Sequence, residues 1–144
     1  MLRSAKRELK TFGVDESDVH DLWVPGTFEI PLVARRVANT TDVDCVLAIG
    51  IVVKGETRHD EYVAQAAVQG IVSASMQTDK PVLFGVLTCE NFEQAKDRAL
   101  PEDEGGKEDK GREIARAAID VLNTLDAVKD VQSDRIGFGK GVLS

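Results

Sequence analysis

The run CVLAIGIVV, residues 45–53, is the feature that most limits how this chain can fold. It is apolar throughout and rich in Val and Ile, without the alternation of polar and apolar residues that a half-exposed strand shows. A strand of this kind is covered on both faces, which is typical of a parallel sheet between two layers of helices. The run PVLFGVLT, residues 81–88, has the same character and predicts a second buried strand.

Helical patterns alternate with these strands. Apolar residues recur at helical spacing in residues 1–12 and again in residues 28–38, where Pro31 falls in the first turn and its missing N–H costs little. The same reasoning predicts a short strand in residues 19–24 and helices in residues 59–76, 91–99 and 114–125. This alternation predicts the α/β class, as a three-layer αβα sandwich with a parallel sheet.

The chain as a whole sets further limits. Its 144 residues suit one domain, which we place at residues 1–125, and we expect the weakly periodic residues 126–144 to form a loose tail. The formal charge of -7 argues against unspecific binding to nucleic acid or to an anionic membrane, since either needs a basic surface. Two cysteines, no signal-peptide core and no apolar stretch of about 20 residues indicate a reducing, cytoplasmic location.

The predicted strands lead into the segments PGTFE, KGETRH and TCENFEQ, and ligands of such sheets collect at that edge. In GETRH a glycine, a hydroxyl group and two basic side chains precede a helix, where backbone N–H groups bind anions. The segment is therefore either a phosphate-binding loop or a plain helix start with Thr57 as its cap. His59 lies beside this loop and has an ordinary pKa of about 6.5, which suits proton transfer near neutral pH.

Other residues allow both a structural and a functional interpretation. Arg98 either offsets the negative end of its helix or holds a phosphate. Phe28 and Glu29 either start a helix or hold a planar, hydroxylated ligand. The acidic segment LPEDEGGKED is predicted to be a solvated loop, and no metal site is expected there.

Taken together, VPGTFEIP, AIGIVVKGETRHDEYV, KPVLFGVLT and EQAKDRA resemble, in order and separation, the 6,7-dimethyl-8-ribityllumazine synthase family over residues 1–125. The resemblance implies a flavodoxin-like parallel sheet and a reaction that uses no metal or organic cofactor. That reaction joins 5-amino-6-(D-ribitylamino)uracil to 3,4-dihydroxy-2-butanone 4-phosphate, releases phosphate and water, and yields the precursor of riboflavin.

The resemblance also implies roles for single residues. His59 matches the proposed acid/base, Arg98 and Phe84 match side chains that come from a neighbouring subunit, and Lys110 falls where the family often has a lysine near the site. The remaining matches are Gly55, Glu56 and Thr57 at the phosphate, Thr27, Phe28 and Glu29 at the ribityl chain, and Ile51, Val52 and Val53 beneath the pyrimidine.

Two features depart from the family pattern. Family members begin with a strand, central in the sheet, that is followed by an aromatic-Asn pair, whereas this chain starts inside the next helix. We expect a truncated N-terminus or a mispredicted start; the alternative is a replacement strand from RIGFGKGVLS, although its three glycines suit a strand poorly. The acidic loop is also longer than in capsid-forming members, which predicts a homopentamer rather than a larger shell.

Three functions are compatible with these patterns. The first is an active lumazine synthase, a cytoplasmic homopentamer that binds small-molecule substrates at sites between its subunits. The second is a non-catalytic pentameric remnant of this fold, and the third is a relative of the archaeal type of riboflavin synthase. The histidine in GETRHDEY favours the first.

Overall fold

The computed structural model describes residues 1–137. Its helices and strands, in chain order, are α1 (Leu2–Thr11), α2 (Ile30–Thr40), β1 (Val46–Val53), α3 (His59–Thr78), β2 (Val82–Cys89), α4 (Phe92–Ala99) and α5 (Lys110–Gly137). Short 3₁₀ turns lie at Glu16–Asp18, Thr27–Glu29 and Glu102–Glu104. The predicted helices and both buried strands are confirmed, with small shifts of their ends except in α5, which is longer than predicted at both ends.

The two strands pair in parallel, in register along their whole length. Side chains that alternate along β1 enter two different cores, as the geometry of a strand requires. Ala48 and Val52 pack with α2 and α3, whereas Leu47 and Ile49 pack with α1 and α5. The sheet is therefore covered by helices on both faces, and the predicted α/β class is confirmed.

Helices α2 and α3 approach each other closely because Gly70 lies against Pro31. A Cβ atom added at Gly70 would lie 2.6 Å from the Cβ atom of Pro31. Ala67, Ile71 and Ala74 line the same buried face of α3. The small residues of α3 thus let the two helices pack closely.

We expect Gly70→Ala to lower the free energy of unfolding by about 1–2 kcal/mol. The added methyl group overpacks the rigid proline ring, although alanine regains part of that cost through its higher helix propensity. Gly55→Ala is the control, because nothing lies within 4 Å of a Cβ atom there. Urea unfolding of the two variants compares them, and equal midpoints would show that this helix contact is not tight.

The predicted strand at residues 19–24 is wrong. This segment lies outside the sheet, which has two strands within residues 1–137. A strand forms only where a neighbour accepts its backbone hydrogen bonds, and β1 pairs with β2 alone. Val19 nevertheless packs beside α1 and α5, and Val24 beside α2 and α3, while Trp23 between them is 84% exposed.

The prediction of a loose tail is also wrong for residues 126–137, because α5 continues through them to Gly137. Leu125, Val128 and Val131 recur at helical spacing, and Asp126 and Lys129 form an ion pair of 2.8 Å one turn apart. The proposed replacement strand starts inside this helix, and its remaining residues, 138–144, lie outside the described residues.

The acidic loop between α4 and α5 is tied to its surroundings. Three of its carboxylates pair with separate cations, namely Glu102 with Arg112, Asp103 with Arg7 and Glu104 with Arg3. The predicted solvated loop is therefore fastened to α1 and α5. None of the helices described is long and apolar enough to cross a membrane.

Candidate functional site

The segment GETRH connects the end of β1 to the start of α3. Residues 54–59 are all exposed, so a ligand can reach them. The N–H of His59 donates a hydrogen bond to the hydroxyl of Thr57 at 3.4 Å, which turns the chain into the helix. The N–H of Gly55 donates to the carboxylate of Asp60 at 3.5 Å. The loop thus presents backbone N–H groups and His59 side by side at an open helix start.

The segment PGTFE lies against the same strand. A Cβ atom at Gly50 would lie 3.1 Å from the hydroxyl oxygen of Thr27, so this glycine admits the 3₁₀ turn Thr27–Glu29 close to β1. Phe28 is 60% exposed beside it. The structure therefore places the turn Thr27–Glu29 against β1, the strand that leads into the loop. We call the predicted site residues on these elements the first cluster, namely Thr27, Phe28, Glu29, Ile51, Val53, Gly55, Glu56, Thr57 and His59.

Val52 differs from the other residues predicted at this strand end. Its side chain is buried in the core with α2 and α3, so only its backbone remains for a ligand. Ile51, in contrast, is 42% exposed. The side-chain contacts predicted beneath a planar ring can therefore come only from Ile51 and Val53 among these three residues.

A second cluster lies at β2, the end of α4 and the start of α5. Phe84 and Lys110 line one cavity of about 240 Å³, together with Glu113 and Ile114. The ammonium group of Lys110 lies 3.2 Å from the carboxylate of Glu108, which also lies 3.5 Å from the guanidinium group of Arg98. Phe84, Arg98, Glu108 and Lys110 form this second cluster.

Arg98 also has the structural role considered from the sequence. Its Nη1 donates a hydrogen bond to the carbonyl oxygen of Gln94 at 3.3 Å, on the last turns of α4. Its Nη2 is the atom that faces Glu108. One side of the guanidinium group therefore supports the helix, while the other is held by a carboxylate that a stronger anion can replace.

The cations of the second cluster are not bonded to the loop of the first cluster within one chain. Among residues 1–131, neither Arg98 nor Lys110 forms a hydrogen bond or ion pair with the loop at residues 54–59. Each cluster holds part of what a phosphorylated, aromatic substrate needs: a loop of N–H groups with a histidine in one, and two cations, with Phe84 on the adjoining strand, in the other.

Comparison with known proteins places the chain in a family. The model of the 6,7-dimethyl-8-ribityllumazine synthase family matches residues 1–126. The chain belongs to this family. Two relatives named 6,7-dimethyl-8-ribityllumazine synthase, from two strains of Thermus thermophilus, are each 45% identical over 129 residues, which is 89% of this chain and 79% of each relative.

In this lumazine synthase family member, two charged residues beyond those predicted from the sequence also lie at the strand ends. Lys54 and Glu90 each follow a strand directly, and their side chains form an ion pair of 2.8 Å. The hydrogen bond to Glu90 raises the pKa of Lys54 above its ordinary value, so Lys54 stays protonated at neutral pH. Each residue directly follows a strand, and the two strands are parallel neighbours. These sequence positions are the signal that could have predicted the ion pair.

Lys110 of this lumazine synthase family member is likewise held by carboxylates. Hydrogen bonds to Glu113 and then to Glu108 raise the pKa of Lys110. Glu113 contacts the ammonium group at 2.9 and 3.0 Å. The lysine is therefore a fixed positive charge at the mouth of the cavity that Phe84 lines.

Proposed function

We propose that this protein catalyses the condensation of 5-amino-6-(D-ribitylamino)uracil with 3,4-dihydroxy-2-butanone 4-phosphate, which gives 6,7-dimethyl-8-ribityllumazine in riboflavin biosynthesis. The observation that carries the proposal is family membership over residues 1–126, a span that contains both clusters. An exposed loop of N–H groups next to a histidine suits a phosphorylated substrate whose conversion needs several proton transfers.

The proposed roles follow the chemistry of each group. Gly55, Glu56 and Thr57 form the loop that holds the phosphate, through N–H groups and the hydroxyl of Thr57. Thr27, Phe28 and Glu29 hold the ribityl chain, with Glu29 as an acceptor for its hydroxyl groups. Ile51, Val52 and Val53 lie beneath the pyrimidine, Val52 through its backbone.

His59 is proposed to move the protons. Imine formation, phosphate elimination and ring closure each transfer a proton, and one imidazole near neutral pH serves them in turn. The attacking amine belongs to the uracil substrate, so the protein supplies no nucleophile. Holding both substrates together contributes much of the acceleration by proximity, and the proposal includes no metal or organic cofactor.

The second cluster completes the site of a neighbouring subunit in this proposal. That neither Arg98 nor Lys110 is bonded to this loop within residues 1–131 supports a shared site, because Phe84, Arg98 and Lys110 then face the loop of the next copy. A ring of subunits joined head to tail repeats the same contact around the axis. We propose a homopentamer in the cytoplasm.

The outer side of α3 supports association. Val68, Val72 and Met76, four residues apart, are 44%, 57% and 80% exposed, and we call them the α3 stripe. A contiguous apolar surface of this kind marks an interface. Size-exclusion chromatography with light scattering measures the assembly directly, and a mass of one chain would contradict the proposal.

The decisive experiment for the activity is a direct assay. The purified chain is incubated with both substrates, and formation of the lumazine is followed by its absorbance. We expect product that depends on both substrates. A folded pentamer that makes no product would contradict the proposed activity and favour the second candidate function, a non-catalytic remnant.

That second candidate has one observation in its favour. The sheet has two strands within the described chain, and residues 19–24 do not pair with it. The outer edge of β1, which adjoins the first cluster, is therefore open, and the proposed pyrimidine site lacks support on that side. The same assay separates the two candidates.

A further inference from the structure

Glu108 occupies the space between the two cations of the second cluster. Its Oε1 lies 3.5 Å from Nη2 of Arg98, and its Oε2 lies 3.2 Å from Nζ of Lys110. One carboxylate therefore bridges both residues that the family resemblance assigns to the substrate. The side chains of Arg98, Glu108 and Lys110 are 34%, 40% and 33% exposed, so the pairs are partly shielded from water.

The backbone around Glu108 is held in place. The N–H groups of Lys107 and Glu108 both donate to the carbonyl oxygen of Asp97, at 2.7 and 3.0 Å. The next residue, Asp109, is 5% exposed, and its carboxylate accepts hydrogen bonds from the hydroxyl of Ser4 and the N–H of Arg112. Glu108 thus projects from a fixed backbone, and only its side chain needs to move to release the cations.

Lys110 keeps its position without Glu108. Glu113 holds its ammonium group at 2.9 and 3.0 Å, and Arg98 is similarly held by the carbonyl oxygen of Gln94. Two positioned cations that share one acceptor form an anion site, and a phosphate group offers more charge and more acceptor oxygens than a carboxylate.

We infer that Glu108 is an internal competitor for the phosphate group at Arg98 and Lys110, and that it sets the affinity of the site for phosphorylated substrate. This inference rests on the proposed function, which assigns Arg98 to the phosphate. In the free protein the carboxylate pairs with both cations. Phosphate binds by displacing it, so part of the phosphate's binding energy is used to separate Glu108 from its partners.

The matched test compares two Glu→Gln variants of the acidic loop. Glu108→Gln removes the competing charge, whereas Glu102→Gln removes an equal charge from a residue that pairs with Arg112 instead. Both variants change the net charge by the same amount, so any general attraction of anions is controlled. Isothermal titration calorimetry with inorganic phosphate measures affinity on the full chain.

We expect Glu108→Gln to bind phosphate roughly fivefold more tightly, the change that loss of about 1 kcal/mol of ion pairing produces, and Glu102→Gln to bind as the parent does. The KM for butanone phosphate falls in Glu108→Gln, while the KM for the uracil substrate is unchanged. Arg98→Ala weakens phosphate binding, and adding Glu108→Gln to it restores only part of the loss, through the Lys110 that Glu108 then releases.

Two other outcomes have distinct meanings. Unchanged or weaker phosphate binding in Glu108→Gln, together with weaker binding in Arg98→Ala, overturns the inference and leaves the proposed function intact. Unchanged binding in Arg98→Ala removes Arg98 from the phosphate site and overturns both the assignment and the inference. Equal tightening in Glu102→Gln and Glu108→Gln also overturns the inference, since net charge alone then accounts for the gain.

Discussion

Replacing His59 with alanine is expected to lower kcat about 100- to 10,000-fold, the usual contribution of a general acid/base. The loss follows because no other titratable side chain of the first cluster has an ordinary pKa near 7. Steady-state assays that follow lumazine absorbance measure it. Assembly is unchanged, since His59 is exposed and its hydrogen bond to Thr57 uses the backbone N–H, which alanine keeps.

His20 provides the matched control for this variant. It is the second histidine of the chain and lies exposed in the extended segment at residues 19–24. His20→Ala is expected to turn over at the rate of the parent protein. A His59→Ala variant with an unchanged rate would remove His59 from the proposed mechanism, whereas slow turnover of His20→Ala would point to a global effect of the substitution.

The second large effect is expected for Arg98→Ala, which should lower kcat/KM for butanone phosphate roughly 10- to 150-fold. This range corresponds to losing a charge-assisted hydrogen bond worth about 1.5–3 kcal/mol. The KM for butanone phosphate should rise, because the interaction is with its phosphate group. Initial-rate kinetics with each substrate varied in turn separates this effect from a general loss of activity.

Lys96 offers the control on the same helix. It pairs with Glu93 at the surface and contacts neither cluster, so Lys96→Ala removes an equal charge and is expected to leave kcat/KM unchanged. If Lys96→Ala and Arg98→Ala behaved alike, the effect would come from the charge of α4 rather than from the position of Arg98.

Mixing the two impaired variants tests whether the site is shared between subunits. His59→Ala subunits still carry Arg98, and Arg98→Ala subunits still carry His59. In a ring assembled from equal amounts of both, about a quarter of the interfaces combine an intact His59 with an intact Arg98, so we expect activity to return to that level after co-refolding. No recovery in mixed rings would place both residues in the site of one chain.

The sequence predicted the central elements well because their causes are local. The apolar run at residues 45–53 has no polar residue that would tolerate water, so β1 had to be buried on both faces. Residues 19–24 include Val and Trp, which favour strands, yet they form no strand, because a strand depends on a partner that the local sequence does not contain. The continuation of α5 was missed because Leu125, Val128 and Val131 stand among charged residues, which weakens the amphipathic pattern.

The candidate site likewise has features that were predictable from the sequence and features that were not. GETRH follows a strand directly and opens a helix, so its exposure and its N–H groups were predictable. The bridge from Glu108 to Arg98 and Lys110 was not, because it depends on how the acidic loop folds back onto α4. The ion pair of Lys54 and Glu90 was partly predictable, because it follows once the parallel register of β1 and β2 is known.

In the proposed assembly, the α3 stripe makes stability depend on protein concentration. Val68, Val72 and Met76 are 44%, 57% and 80% exposed in the single chain, so much of their apolar surface faces solvent there. Once a neighbouring copy covers them, association adds to the free energy of unfolding by mass action. The resistance of this protein to heat is then a property of its concentration as much as of its sequence, and dilution weakens it before any side chain has changed.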